Sequence, residues 1–297
     1  MKNILKISLF AAALFSMVSC YEDYIKDYDY SATYFASQRP LRTVIADRGM
    51  TIEVGAAIGG KREVDVNDWV RFEVDPALLE GTSLTLLPEN CYSFSEPGMM
   101  RISKSNLPIA DVTVSFTDAF YELPEATGTY YALPLKLVDS SLDSILTTKN
   151  TSIVAIKYIS TYHGTYYVQG ALKTLDASGN VTETVSYNDS DLSQNITRSV
   201  VTVSRNVVYR QGLANLPTDD AADKVQMQMN PADKTVTVTS VDGGIAITDG
   251  SGTFDDSGER LVINLSYRFT KDGVNYQVNE TLTRRQDPLS DLRYEEW

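Results

Sequence analysis

The chain has few of the residues that build metal sites and disulfide-bonded scaffolds. Its 297 residues include two cysteines and one histidine. Zinc clusters and disulfide frameworks need more cysteines or histidines than this. A reaction that uses two histidines is excluded for the same reason. We therefore predict no metal site and no cofactor.

Tryptophan is also scarce, whereas tyrosine is in excess. The chain contains 2 Trp and 9 Phe against 18 Tyr. Tyrosine suits half-exposed strands because its ring is apolar and its hydroxyl is polar. A flat ring can also pack against the C–H face of a sugar. Sheet packing therefore accounts for most of the tyrosines, and ligand contact stays open for a few.

Positive charge is in short supply. The chain has 26 Lys and Arg against 39 Asp and Glu, which gives a formal net charge of −13. Nucleic-acid binding needs a basic patch, so nucleic acid is excluded as a partner. The 43% of hydrophobic residues suffices to bury a core. The length leaves room for about two domains.

The N-terminus has the features of a signal peptide. Lys2 and Lys6 precede an apolar run at residues 7–18, which is too short to span a bilayer. The run ends in MVSC at residues 17–20, which resembles a bacterial lipobox. We predict a lipoprotein signal peptide at residues 1–19 and lipidation of Cys20; an ordinary signal peptide is the alternative. Several acyl chains on one residue give stable membrane anchoring.

Residues 20–30 are acidic and tyrosine-rich, with no helical or strand period. We interpret them as an acidic tether. Acidic residues directly behind the lipidated cysteine look like the surface-export signal of Bacteroidetes lipoproteins, and a solvated linker is the simpler interpretation. Removal of residues 1–19 takes away two lysines and no acidic residue, so the mature chain has a formal charge of −15. The predicted location is the outer membrane, lipid-anchored and exposed at the cell surface.

The rest of the chain shows the pattern of β-structure. Short alternating runs rich in Val, Ile, Thr and Tyr recur between turn residues, and no window sustains a helical period. In the first half such runs fall at residues 51–54, 70–74, 111–116, 131–138 and 151–159. This spacing is typical of an antiparallel sandwich. We predict an all-β protein whose first domain, residues 31–160, is an Ig-like β-sandwich.

The second half is more regular and predicts a β-barrel at residues 161–297. It contains about nine alternating runs, and Lys271-Asp272-Gly273 is a strong hairpin signal between two of them. Sequential hairpin-linked strands can hide their edges by closing into an up-and-down barrel. The Gly164-x-Tyr166 start and Arg284 near the end resemble a lipocalin-type closure. An open sandwich is the alternative.

Several sequence segments resemble those of one family of Bacteroidetes lipoproteins. They are VRFEVDPALL at residues 70–79, LPxxxY at 87–92, YALPL at 131–135, DSI at 143–145 and HGxYYxxG at 163–170. Together they cover nearly the whole mature chain in order. The resemblance implies a two-domain surface lipoprotein of unknown function, with an Ig-like domain followed by a lipocalin-like barrel. It further implies relatives in glycan-uptake systems, and it supplies no catalytic residues.

No catalytic constellation is evident, so we predict that the protein is not an enzyme. The acidic pairs Asp219-Asp220 and Asp255-Asp256 lie in turn-like segments, and adjacent loop carboxylates diverge. His163 is the only histidine and no Gly-x-Ser-x-Gly elbow exists, so its expected role is structural. Cys91 lacks a base and is expected to be a buried thiol.

Binding is therefore the expected function. The candidate ligand-contacting residues are Trp69, Tyr166 and Tyr167. The leading hypothesis is a non-catalytic lipoprotein that binds glycan or assists a glycan-uptake system. Its partners would be a glycan, an outer-membrane transporter or neighbouring lipoproteins, and it would meet the membrane through its acyl chains alone. The alternatives are an adhesive or structural lipoprotein, and a carrier of lipid or another small apolar ligand inside the barrel.

Overall fold

A computed structural model describes residues 30–61, 64–102, 107–217 and 220–297. The predicted signal peptide, Cys20 and almost all of the predicted tether lie outside these residues. Within them the protein is all-β, as predicted, with two single-turn α-helices, α1 (Asp118–Tyr121) and α2 (Pro288–Asp291), and four short 3-10 helices. Among the described residues, no helix has the length and apolar character needed to cross a membrane.

The N-terminal part is one continuous sheet. Its first eleven strands are β1 (Ala32–Tyr34), β2 (Pro40–Ile45), β3 (Thr51–Gly59), β4 (Trp69–Val74), β5 (Thr85–Leu86), β6 (Tyr92–Phe94), β7 (Met99–Ile102), β8 (Ile109–Phe116), β9 (Tyr131–Ser140), β10 (Ser144–Ile145) and β11 (Thr151–Ile159). The path through the sheet runs β10-β1-β3-β8-β7-β4-β9-β11-β2. Because β7 pairs with both β8 and β4, it joins two halves of the sheet.

The two halves of this sheet enclose a shared hydrophobic core. Val54 on β3 and Val112 on β8 belong to the same buried cluster as Phe72 on β4, Leu133 on β9 and Ile156 on β11. Alternate residues of each strand point into this core, as expected for sandwich strands with one buried face. The N-terminal domain is therefore β-structure with a sandwich-type core.

The N-terminal sheet is mixed rather than purely antiparallel. Strand β1 pairs in parallel with β10, β2 with β11, and β5 with β9. The other neighbouring strands in this sheet pair antiparallel. Parallel partners need long crossover connections, so they leave no hairpin signal in the sequence. The antiparallel expectation is corrected at these three pairs.

The C-terminal part forms the predicted closed barrel. Its strands are β12 (Gly164–Leu175), β13 (Val181–Tyr187), β14 (Ile196–Ser204), β15 (Val207–Gln211), β16 (Lys224–Asn230), β17 (Thr235–Thr239), β18 (Ile247–Asp255), β19 (Val262–Lys271) and β20 (Val274–Arg284). Eight of them pair antiparallel in sequence order, and β20 pairs back onto β12. Strand β13 extends from β12 outside this ring. Asp272 and Gly273 have positive φ angles of 52° and 76° in the predicted hairpin turn.

Closure of the barrel places Arg284 directly opposite Tyr166. Tyr166 is fully buried, and its hydroxyl donates a hydrogen bond to the carbonyl of Tyr162 at 2.7 Å. Arg284 donates from Nη1 to the carbonyl of Thr161 at 3.0 Å. The first and last barrel strands are therefore joined by both a ladder of backbone hydrogen bonds and the side chains at its start.

Inward-facing side chains fill the barrel. Val168, Met227, Ile263, Phe269 and Leu282 are all at most 3% exposed and belong to one hydrophobic cluster. An open apolar cavity is what a lipid carrier needs. The filled interior does not favour that alternative.

A short strand at the end of the chain returns to the N-terminal domain. After α2, β21 (Glu295–Glu296) pairs antiparallel with β2. Trp297 donates from Nε1 to the carbonyl of Ile153 at 2.8 Å and packs on a small cluster that includes Leu41 and Leu84. The interface between the domains is reinforced by Arg205, which contacts Asp47 at 2.5 Å and Asp118 at 2.7 Å.

Candidate functional site

The structure separates the three aromatic residues predicted to contact ligand. Trp69 begins β4 in the N-terminal sheet, with the guanidinium of Arg71 5.4 Å from its ring centre. Tyr166 points into the barrel core and is fully buried. Tyr167, the next residue on β12, points to the outer face and is half-buried. Tyr167 is thus partly exposed and lies two residues before Gln169, which lines the outer groove of the barrel.

His163 lies at the domain junction, which agrees with a structural role. Its Nδ1 accepts a hydrogen bond from the backbone N–H of Thr202 at 3.3 Å. It lines a cavity of about 320 Å³ together with Lys157 and Asp291. Burial lowers the pKa of His163, as does the Lys157 ammonium, while Asp291 opposes them. The neutral ring can accept from Thr202 at neutral pH.

Two of the acidic residues singled out in the sequence, Asp255 and Asp256, have structural partners. Asp255 accepts from the backbone N–H of Ser257 at 2.9 Å, whereas Asp256 pairs with Lys234 at 2.8 Å. These adjacent carboxylates therefore serve different contacts. Asp219 lies outside the described residues. Cys91 is buried, and burial raises the pKa of its thiol.

A groove of about 600 Å³ lies on the outer face of the barrel. It crosses β12, β20, β19 and β18, and Asn188 from the segment after β13 borders it. Eight of its twelve lining residues carry amide or hydroxyl side chains: Gln169, Asn188, Ser251, Thr253, Asn264, Ser266, Asn279 and Thr281. Most of these side chains point outward because the alternate residues of each strand face the barrel core.

The strand register arranges the groove side chains in two rows across the barrel. One row runs Gln169, Thr281, Asn264 and Thr253, and the other runs Ala171, Asn279, Ser266 and Ser251. Neighbouring members of a row are directly opposite each other on adjacent strands, about 5 Å apart. The hydroxyl of Thr281 donates to the Oδ1 of Asn264 at 2.8 Å. Gln169 donates from Nε2 to the Oδ1 of Asn188 at 2.9 Å.

Two glycines allow the strands beneath the groove to approach closely. A Cβ at Gly252 would lie 2.3 Å from the carbonyl oxygen of Asn264, and one at Gly170 would lie 2.5 Å from that of Asn279. Both distances are far below a van der Waals contact, so a side chain at either position would displace the neighbouring strand. These glycines therefore hold Asn264 and Asn279 at their places in the two rows.

The one carboxylate-bearing residue among the groove lining, Glu280, faces the barrel interior. Its side chain is fully buried and lies 2.9 Å from the Nη1 of Arg210, which is also fully buried. Tyr267 and Tyr187 each donate a hydroxyl hydrogen bond to Glu280 at 3.1 Å. Burial is the largest influence on Arg210 and opposes its charge, but Glu280, Tyr267 and Tyr187 together outweigh burial and raise the pKa of Arg210. The groove surface itself is therefore uncharged.

Sequence reasoning missed the residues that line this groove. Searching for acidic pairs and aromatic residues passes over Asn, Gln, Ser and Thr, which are ordinary in strands and turns. The available signal was the occurrence of uncharged polar residues at successive alternate positions of a strand, as at Asn264 and Ser266 or Asn279 and Thr281. Within the described residues, no cluster of three metal-ligating side chains is close enough to hold a metal ion.

Two family models match the chain in succession. A model described as a "-like, N-terminal domain" matches residues 26–144, and one described as "-like, C-terminal" matches residues 150–283. Among curated proteins, none matches the chain significantly.

Several solved structures similar to this chain come from Bacteroides. A Bacteroides ovatus protein of unknown function is 23% identical, with 88% of this chain and 96% of that chain covered and a TM-score of 0.74. A multidomain Bacteroides ovatus protein that includes DUF1735 is 15% identical, with 86% and 94% covered and a TM-score of 0.39. A candidate carbohydrate-binding protein of Bacteroides ovatus ATCC 8483 is 13% identical, with 70% and 66% covered and a TM-score of 0.31.

The first of these structures shares the fold over nearly its whole length. The two successive domain matches cover the sandwich-type domain and most of the barrel. Both domains are therefore found together in relatives of this chain. The chain belongs to a two-domain Bacteroidetes protein family of unknown function.

Proposed function

We propose that the protein is a non-catalytic, surface-exposed lipoprotein, anchored through Cys20, that binds a glycan in the outer groove of its barrel. The observation that supports this most directly is the uncharged lining of amides and hydroxyls across four adjacent strands. Amide groups both donate and accept hydrogen bonds, and hydroxyl groups do the same. These are the groups that can satisfy the many hydroxyls of a sugar.

Tyr167 adds an aromatic surface beside the groove. It lies two residues before Gln169 on the same face of β12, which corresponds to about 7 Å along the strand. A ring at this distance can pack against the C–H face of a sugar whose hydroxyls reach Gln169 and Thr281. Truncation of the ring should therefore weaken glycan binding more than loss of the phenol hydroxyl alone.

A binding role without catalysis fits the charges at the groove. Glycoside hydrolysis usually requires two carboxyl groups across a cleft, about 5 or 6.5–9.5 Å apart. Glu280 supplies one carboxylate, but its side chain points into the barrel and is held by Arg210. The groove lining offers no second carboxylate.

The direct test is affinity gel electrophoresis of the protein without its signal peptide against a panel of plant, yeast and host polysaccharides. We expect retardation by at least one polysaccharide and loss of retardation when Asn264 and Asn279 are both changed to Ala. Asn275→Ala is the matched control, because Asn275 accepts from the hydroxyl of Thr270 at 2.7 Å on the same two strands outside the groove. Absence of retardation by every polysaccharide, with capture of an outer-membrane protein in pull-downs, would instead support the adhesive role.

A further inference from the structure

The groove is part of a larger uncharged strip on the barrel. The strip consists of the two rows and the residues that continue them onto β17 and β13: Gln169, Thr281, Asn264, Thr253, Thr235, Ser186, Ala171, Asn279, Ser266, Ser251 and Thr237. At the 25–35% of charged residues usual for a soluble surface, about three of these eleven positions would be charged. None of them is, in a chain whose formal charge is −13.

Charged residues reappear immediately beside the strip. Asp255 ends the neighbouring outward row on one side, and Lys173 and Arg268 occupy the next outward row on the other. Arg268 is paired with Asp249 at 3.1 Å. The strip is thus bordered by charged residues, at Asp255 on one side and at Lys173 and Arg268 on the other.

The second row of the strip is open at both ends, whereas Gln169, at the end of the first row, donates to Asn188 and to the carbonyl of Asp189. Beyond Ser251 and Thr253 the surface continues with exposed Thr235 and Thr237, and beyond Ala171 it continues with exposed Ser186. Four strands about 4.8 Å apart give the groove a length of about 14 Å across the barrel. An open groove of this length fits several consecutive sugar rings and encloses no chain end.

We infer that the groove binds an internal stretch of an uncharged glycan chain, lying across the strands from Gln169 to Ser251. This inference rests on the proposed glycan-binding function and gives its ligand class. A polyanionic glycan would find no cation within the strip and would be repelled by the net negative charge of the protein. A terminal-sugar ligand would leave both open ends of the groove unused.

The class of ligand is tested by affinity electrophoresis in yeast mannan, xyloglucan, arabinoxylan and galactan as neutral polymers, and in polygalacturonate, chondroitin sulfate and heparin as polyanions. We expect retardation by a neutral polymer that is insensitive to added salt. Retardation by a polyanion that weakens with salt would overturn the inference while leaving glycan binding in place.

The internal-chain geometry is tested by calorimetry with a ladder of oligosaccharides cut from the polymer that retards the protein. Affinity should rise with chain length until the groove is filled. Gln169→Ala and Ser251→Ala, at opposite ends, should each weaken binding of long oligosaccharides about 2- to 10-fold, as expected for one hydrogen bond, and leave the shortest binding oligosaccharide unaffected. Asn264→Ala, at the centre, should weaken the binding of both the long and the shortest oligosaccharides.

Two results would overturn the internal-chain inference. The first is competition by the monosaccharide as strong as that by long chains, and the second is loss of binding in Asn264→Ala with no effect of either end variant on any length. Both leave the proposed function standing. Unchanged binding in all three variants would remove the groove as the site and overturn both proposals.

Discussion

Removal of the Glu280 carboxylate should destabilise the barrel strongly. Glu280 and Arg210 are both fully buried and 2.9 Å apart, and Arg210 also donates to the carbonyl of Gly212 and to the hydroxyl of Tyr267, each at 2.9 Å. Breaking a buried ion pair from one side costs about 3–5 kcal/mol because an uncompensated charge remains. We therefore expect Glu280→Leu to lower the free energy of unfolding by about 3–5 kcal/mol.

A double variant that replaces both Arg210 and Glu280 distinguishes the energy of the ion pair from that of general packing. Replacing both charges with apolar residues of similar volume is often neutral. Here Tyr187 and Tyr267 would lose a hydrogen-bond acceptor, at about 1–3 kcal/mol for a buried group left unsatisfied. Arg210→Met with Glu280→Leu should thus be less destabilised than either single variant, which corresponds to a coupling of several kcal/mol.

Urea unfolding of the full mature chain measures these free energies, with Glu280→Gln as a milder variant if Glu280→Leu does not fold. Glu96→Ala is the control, since Glu96 forms a pair with Arg101 at 2.7 Å that is about half exposed. Solvent screens that pair, so little change is expected. Additive losses in the double variant would refute the reasoning, because they would show that the two charges do not stabilise each other.

Three further predictions concern the junction between the domains. In the folded protein the pKa of His163 lies below its ordinary value of about 6.5, so protonation favours the unfolded chain. Stability should therefore fall as the pH decreases from about 7, and His163→Asn should reduce the change of the urea midpoint between pH 7 and 5. Arg205→Ala, which removes contacts to Asp47 and Asp118, should separate the unfolding of the two domains in calorimetry, whereas a single transition would argue against the contact. Trp297→Ala should lower the free energy of unfolding by about 1–2 kcal/mol, because it removes packing and one hydrogen bond. An unchanged urea midpoint would show that the C-terminal tail contributes nothing to stability.

Local patterns predicted the barrel well. Its strands alternate between inward apolar and outward polar residues and are joined mostly by short turns, so each hairpin is specified by adjacent sequence. The turn at Asp272-Gly273 illustrates this. The pairing of Tyr166 with Arg284 is not local, and it was expected only from the resemblance to a lipocalin-type closure.

Long-range pairings were not accessible in the same way. Residues 155–159 on β11 lie parallel to residues 41–45 on β2, more than 100 positions earlier. The pairing of Glu295 with Leu41 is separated by still more of the chain. No local period or turn residue specifies such partners, because the packing of the finished domains selects them.

The candidate site was hidden for a related reason. Gln169, Thr281, Asn264 and Thr253 form a row only when four strands are in register, and each is unremarkable in its own segment. The sequence named Tyr167 as a candidate together with Trp69 and Tyr166, on the argument that some tyrosines exceed what sheet packing needs, but it did not place Tyr167 beside that row. Its burial state and that of Tyr166 follow from which face of β12 each occupies.

Glycan binding by the outer groove is the central claim, and calorimetric titration of the retarding polysaccharide into three proteins tests it most directly. The mature protein and Asn275→Ala should bind with the same affinity, while the Asn264→Ala, Asn279→Ala double variant should lose about 1–3 kcal/mol of binding free energy, or about 5- to 150-fold in Kd. Equal affinity of all three proteins would contradict the assignment of the groove as the binding site.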